Sequence, residues 1–328
     1  MRLACRGLLC LLLALAAGAA QAARVQEVRP LMGTLVGVTA EGGDEAALHA
    51  AVDAAYAEMG RLSDMMNHYD PHSVVSAIND AAGEHPVRVP PELMSALQMA
   101  QRMSERTRGA FDVTVGSLRG WRFRAEDPGM PTAAEIAAER PLVDYRRLRL
   151  DARAQTAFLE RRGMRIDLGG IAKLYIIDAG ARRLERGGAT RAMVNGGGDV
   201  VAVGRADAMP WRVGVRDPRA PDKLLGVLEL ARGIVASSGD YERAFVRNGR
   251  RYHHILDPRT GMPAEGPHGV TLVSERLEAL DGLGVAIMVL GEKRGERLIE
   301  RTPGLDAVIA GRDGSLWMTP GFRRRLGR

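Results

Sequence analysis

The sequence predicts an α+β protein, mostly antiparallel sheets with helices inserted in blocks. Three observations predict it. Short apolar runs separated by glycine and proline turns crowd the chain from Arg147 onward, helical periodicity is confined to a few stretches, and regular strand-helix alternation is missing. No repeat, long linker or low-complexity segment divides the chain, so residues 23–328 are expected to form a single domain.

The N-terminus reads as a processing signal. Arg2 and Arg6 precede an apolar run from Leu8 to Ala17, and Ala20-Gln21-Ala22 has the small-x-small pattern of a secretory cleavage site. Residues 1–22 are therefore expected to be a signal peptide and the mature chain periplasmic. Its apolar stretch is too short to span a bilayer comfortably. Both cysteines, Cys5 and Cys10, leave with it, which excludes disulfides, thiolate metal sites and a cysteine nucleophile. The formal charge falls from +6 to +4 as Arg2 and Arg6 are lost. A mild excess without aromatic interleaving argues against nucleic acid and suits an anionic ligand. The tail Arg323-Arg324-Arg325…Arg328 reads as a solvated terminus, with peripheral contact to lipid headgroups as the alternative.

Thr34 to Thr39 reads as a strand, and Asp44 to Met66 as an amphipathic helix whose Leu48, Val52, Ala55, Met59, Leu62 and Met66 step by four and three. Its methionines are packing. Pro90-Pro91 opens a second helix with Gly109 beyond its end, and Thr132 with Glu135 forms a capping box for a third that stops before Pro141. Strands then follow at Arg149–Ala152, Ala157–Glu160, Met164–Leu168, Arg191–Asn195 and Val200–Gly204, with one helix from Ile171 to Arg186 ending at Gly187-Gly188. Further strands are expected at Trp211–Arg216, Leu225–Leu230, Ile234–Ser237 and Val270–Ser274. Helices follow over Leu277–Leu290 and Glu292–Arg301, and a last hairpin turns at Asp313-Gly314.

The densest chemistry lies in Arg251 to Gly261, RYHHILDPRTG. Asn248-Gly249 predicts a hairpin between Phe245–Arg247 and Tyr252–Leu256, and successive strand side chains face opposite ways. Of His253 and His254, one is therefore expected to be functional and the other structural. In IDLGGIAK, a strand ends in Gly169-Gly170 and a helix begins, offering close backbone approach and free N–H groups to phosphate; a plain turn with a solvated Lys173 is the alternative. VNGGGDVVAVG is a glycine corner without the spacing of a dinucleotide fingerprint or P-loop. GAFDVTVG places Phe111 for stacking and Asp112 for a hydrogen bond, or is an ordinary helix-to-strand connection. Ser238, His254 and Asp257 contain triad residue types, but no GxSxG elbow surrounds a serine, so a hydrolase is disfavoured. Asp281, near a helix start, reads either as an exposed dipole-favoured residue or as a hard-metal ligand.

In order, LMGT, HYDPHSVVSAIN, GAFDVTVG, DLGGIAK, NGGGD, SSGDYE, HHILDPRTG and ALDGLGVAIMVLG resemble the flavin transferase family, the FAD:protein FMN transferases or ApbE family, over nearly the whole mature chain. The resemblance implies a domain of that family's type, with FAD as substrate and Mg2+ beside its pyrophosphate. FMN would pass to a threonine or serine of a client flavoprotein, of a membrane respiratory complex, with release of AMP. It implies metal ligation by Asp281, the Ala172 carbonyl and position 285, and phosphate contacts from Gly169, Gly170 and Lys173. His254 would handle a proton or position the reacting phosphate. Met32, Tyr69, Ala110, Phe111 and Asp112 would line the flavin or adenine pockets, with Tyr175 and Ile255 adding backbone or packing contacts. The sequence departs from the family at Val285, where a threonine is usual, and at Leu174, where glycine is usual. A periplasmic FAD carrier and an FAD pyrophosphatase are the competing readings.

Overall fold

The computed structural model describes residues 23–124, 126–205 and 208–327; the expected signal peptide lies outside them. Strands β1 (Ala23–Leu31) and β2 (Thr34–Gly42) form a hairpin, and α1 (Glu45–Met66) follows, capped by the Asp44 carboxylate, which accepts from Ala47 N. Then come α2 (Val74–Asp80), β3 (Val87–Arg88), α3 (Pro91–Arg106), β4 (Arg122–Arg124), β5 (Asp127–Gly129) and α4 (Ala133–Glu139). Both bonds of the Thr132/Glu135 capping box are present. Next are β6 (Leu148–Asp151), β7 (Thr156–Leu159), α5 (Ala172–Arg186), β8 (Arg191–Gly196), β9 (Asp199–Gly204), β10 (Trp211–Asp217), β11 (Ala220–Leu230) and β12 (Gly233–Gly239). The chain continues with β13 (Ala244–Arg247), β14 (Arg250–His253), β15 (Gly269–Ser274), α6 (Leu277–Leu280), α7 (Leu283–Leu290) and α8 (Glu292–Glu300). It closes with β16 (Leu305–Ala310), β17 (Leu316–Met318), α9 (Pro320–Arg325) and β18 (Leu326–Gly327).

An eight-stranded sheet in the order β1-β2-β8-β9-β12-β15-β16-β17 organises the molecule, and its neighbours pair antiparallel. Strand alternation divides its side chains between two cores. Val38, Val194, Val201 and Val203 join Leu48, Met59, Ile177, Leu184 and Ile287 from the helices on one face. Val200, Ala202, Val235, Val273 and Val308 join Trp211, Val213, Leu228 and Phe322 on the other. The continuously apolar run VVAV of β9 is thus buried on both sides, and each such large side chain contributes about 1.5–3 kcal/mol.

Three expectations are corrected. Met164–Leu168 is not a strand, because a side chain takes the place of a neighbouring strand. The Asn79 amide donates to Ile166 O at 3.1 Å and accepts from Ile166 N at 2.6 Å. The helix over Leu277–Leu290 is broken, with Asp281 extended and Gly282 left-handed at φ 76°, although the apolar periodicity runs straight through. The basic tail keeps Arg323, Arg324 and Arg325 exposed, as expected, but its backbone is folded: α9 buries Phe322, Arg325 pairs with Asp306 at 3.1 Å, and Leu326 pairs with Leu228. Among the described residues no helix is long and apolar enough to cross a membrane.

The backbone before β15 fixes α7. A Cβ built on Gly266 would lie 2.0 Å from Met288 O and 2.8 Å from Met288 C, and backbone cannot yield as a side chain can. Gly266→Ala is expected to cost roughly 2–3 kcal/mol, read as a lowered denaturation midpoint with unchanged slope.

Candidate active site

Four backbone turns converge beside the broken helix. The first is Asp167 to Gly170. Asp167 Oδ1 accepts from Gly169 N at 2.7 Å, and a Cβ on Gly170 would lie 2.9 Å from Phe111 Cε2 and 3.5 Å from Val285 Cγ2. This turn therefore lies directly on the Phe111 ring and the start of α7. The second is the glycine corner after β8, where Gly197 has φ 63° and its Cβ would lie 2.7 Å from Thr34 Oγ1. That contact brings in the third, the Met32-Gly33 turn, with φ 53° and 69°. The fourth is the Asp281-Gly282 break itself.

Within this corner Lys173, in the first turn of α5, ion-pairs with Asp199 Oδ2 at 2.8 Å, and Asp199 Oδ1 accepts from Ser237 N at 3.0 Å. The anion that a lysine at a helix start requires is thus supplied by the protein. Asp281 has no such partner. It is 2% exposed, and its Oδ2 is buried without a hydrogen-bond partner among the described residues. Burial first, and the negative charge of Asp199 second, push its pKa well above the usual carboxylate range. Asp199 and Asp281 therefore influence each other with Lys173 as the cation, so the ionised corner is one positive charge short.

That deficit is the test of whether a divalent cation fits here. No group of three or more His, Cys, Asp or Glu side chains is arranged to hold one among the described residues. A hard cation does not require such a group. Mg2+ is commonly bound by one or two carboxylates together with substrate phosphates and water, and the buried, unpartnered Asp281 carboxylate suits that donor set. Val285 offers no side-chain oxygen.

The other end of the candidate site is built around His254. His253 and His254 separate as expected, although the strand expected over Tyr252–Leu256 ends at His253 and His254 stands in the bend that follows it. His253 is 2% exposed with Nε2 held 2.9 Å from Ala264 O, whereas His254 is exposed. Although accessible, the His254 ring stands among densely packed protein, and this desolvation, with the Arg243 charge second, pushes its pKa down to about 4. The accessible edge lets water moderate the shift without reversing it, so His254 is a neutral imidazole at pH 7. Asp167 exerts its charge on both His254 and Tyr69, and it lies 3.4 Å from His68 Nδ1. Tyr69 is 71% exposed, its ring centroid 3.9 Å from that of His68. It presents an open aromatic face suited to a planar ligand. The DLGG turn, with Asp167 toward His254 and Gly170 toward Val285, joins the two ends.

The remaining expected residues are placed less openly. Phe111 is 4% exposed and forms the wall under Gly170 and Gly282, so it has no free stacking face. The Asp112 carboxylate accepts from Thr114 N, Thr114 Oγ1 and Tyr145 N, which commits it to local structure. Ala110 and Ile255 are in the core, and Tyr175 is half-buried against it. Leu174 is buried. Asp257 is tied to Arg259 at 2.7 Å, closing its own turn. Asp167 and Asp199 were not singled out from sequence, yet Asp167 stands two residues before a double glycine and Asp199 directly after a triple one. A hollow of about 310 Å³ lies around Asp240, His253 and His268, and neither Asp281, Lys173 nor His254 lines it. Charge and orphaned polar groups, more than enclosed volume, mark the candidate site.

A match to the ApbE family covers residues 32–309. The chain is 32% identical to a FAD:protein FMN transferase of Klebsiella pneumoniae over 81% of this chain and 84% of the relative. It is 30% identical to one of Treponema pallidum, over 88% and 85% respectively. Among solved structures it resembles the ApbE protein of Thermotoga maritima with a TM-score of 0.85 at 32% identity, covering 93% of this chain and all of that one. The flavin transferase ApbE of Vibrio cholerae aligns with a TM-score of 0.79 at 28% identity, with the same coverage.

Proposed function

The chain belongs to the ApbE family and is a flavin-transferring enzyme that takes FMN from FAD; from that premise we propose a Mg2+-dependent transfer to a threonine or serine hydroxyl of a client flavoprotein, releasing AMP. The observation that carries the reading is the buried Asp281 carboxylate beside Asp199, with Lys173 already paired.

The acceptor oxygen attacks the FMN-side phosphorus, the phosphorus–oxygen bond to AMP breaks, and AMP leaves with the bridging oxygen. The acceptor proton passes to the neutral His254 ring, which the depressed pKa keeps free to receive it. Gly169 and Gly170 admit the phosphates close to backbone, and Lys173 opposes their charge while Asp199 holds it in place. Tyr69 orients the flavin by its open ring. Mg2+, held by Asp281 and the Ala172 carbonyl, would neutralise the pyrophosphate and steady the leaving oxygen.

We place the mature chain in the periplasm, on the strength of the basic, apolar and small-residue sequence of residues 1–22. The expected client is a flavoprotein subunit of a membrane respiratory complex exposed on that side. Incubation of the mature protein with FAD, Mg2+ and a client domain bearing an acceptor threonine is expected to give a covalent FMN adduct and one AMP per adduct. FMN and AMP formed without any client would make it a pyrophosphatase, and tight FAD binding with no turnover would make it a carrier.

A further inference from the structure

Position 285 cannot supply an oxygen, and the preceding residue, Gly284, has no side chain at all. The space beside Gly284 is filled from the sheet. A Cβ built there would lie 2.6 Å from Ser238 Oγ and 3.6 Å from Val270 Cγ1, in keeping with the Ser238 and Val270 pairing of β12 with β15. A side chain at 284 would therefore displace this hydroxyl. Ser238 is half-buried, and its hydroxyl has no hydrogen-bond partner among the described residues, whereas the neighbouring Ser237 hydroxyl lies 3.0 Å from Thr271 Oγ1. The backbone N–H of Ser237 meanwhile holds Asp199. Strand β12 thus carries one residue that anchors the Lys173–Asp199 pair and, next to it, a free hydroxyl on the first turn of α7, three residues after Asp281.

We infer that Ser238 supplies the neutral oxygen ligand that Val285 lacks, so that a divalent cation at Asp281 is held by Asp281, the Ala172 carbonyl and Ser238, with FAD phosphate oxygens and water completing its shell. This rests on the metal-dependent reading of the site. The chemistry is that of a hard cation, which takes hydroxyl, carbonyl and carboxylate oxygens without discrimination of the element that presents them. A strand hydroxyl over a bare helix turn replaces a helix hydroxyl.

The test is a Mn2+ titration of the FAD-loaded mature protein, followed by electron paramagnetic resonance of the free ion. Ser238→Ala is expected to weaken Mn2+ binding on the order of tenfold, the lower end of what supporting groups at metal sites contribute. Its thermal midpoint without metal should match the wild type. Adding Val285→Thr to Ser238→Ala should return the affinity, because the oxygen is restored from the helix side. Ser238→Cys should shift preference from Mn2+ to Cd2+, with a sulfur-to-cadmium absorption band that a merely structural serine would not produce. Wild-type Mn2+ affinity in Ser238→Ala, alongside its loss in Asp281→Asn, overturns the role of Ser238 and leaves the Asp281 site standing. Undiminished affinity in Asp281→Asn overturns both.

Discussion

Asp281→Asn is expected to lower metal-dependent flavin transfer by about a thousandfold or more, the several kcal/mol that a Lewis acid contributes to charge neutralisation. The same change should leave the metal-free protein at least as stable as the wild type. The sign follows from the raised pKa of Asp281. Its folded form keeps a proton that the unfolded chain releases near pH 4, so stability is fully present below that value. It is lost as pH rises toward the elevated folded pKa. Asparagine resembles the protonated acid and removes this loss. Thermal melts in chelator at pH 5 and pH 8 should show the wild type losing more stability than Asp281→Asn between them. Mg2+ with FAD should raise the midpoint of the wild type alone, and its binding should release a proton as the carboxyl ionises.

His254→Ala is expected to reduce transfer by roughly a hundred- to ten-thousandfold while FAD affinity changes only a few-fold, since the ring handles a proton more than it holds the ligand. At Mg2+ concentrations that saturate the enzyme at every pH, so that Asp281 stays ionised, transfer in the wild type should stay level from neutral pH down to about pH 5 and fall as the imidazole gains its proton near its pKa of about 4. An unperturbed histidine would lose activity through pH 6.5. The linked stability effect has the opposite sense to that of Asp281. Here the unfolded chain binds the proton first, so His254 withdraws stability as pH falls from about 6.5 toward 4. A rate that declines through pH 6.5 would show that the site does not desolvate the ring, and full activity in His254→Ala would remove its role.

Much of the fold was legible because period and punctuation act locally. Asp44, the Thr132/Glu135 box and the Asn248-Gly249 turn each fix an element end with side chains a few residues away, and each stands where expected. The failures share a cause. Ile166 is satisfied by Asn79, 87 residues earlier, and Phe322 is buried against β10 and β11, and neither partnership leaves a periodic trace. The break at Gly282 was hidden because leucines on both sides keep helical spacing. In the candidate site, the sequence separated the roles of His253 and His254 by strand alternation, whereas the structure separates them by ending β14 at His253. Their assignment was not legible, because it depends on Ala264 capturing His253. The pairing of Lys173 with Asp199 and the exposure of Asp281 to that charge arise only when α5, β9 and α7 meet.

On the proposed reading, the buried Asp281 carboxylate would hold a divalent cation that neutralises the FAD pyrophosphate. Anomalous diffraction at the manganese edge, from crystals of the mature protein soaked with FAD and Mn2+, tests it most directly. The expected result is a single strong peak in contact with Asp281 Oδ2, the Ala172 carbonyl and a phosphate oxygen. Ordered FAD with no peak at Asp281, or a peak held by other residues, would contradict it.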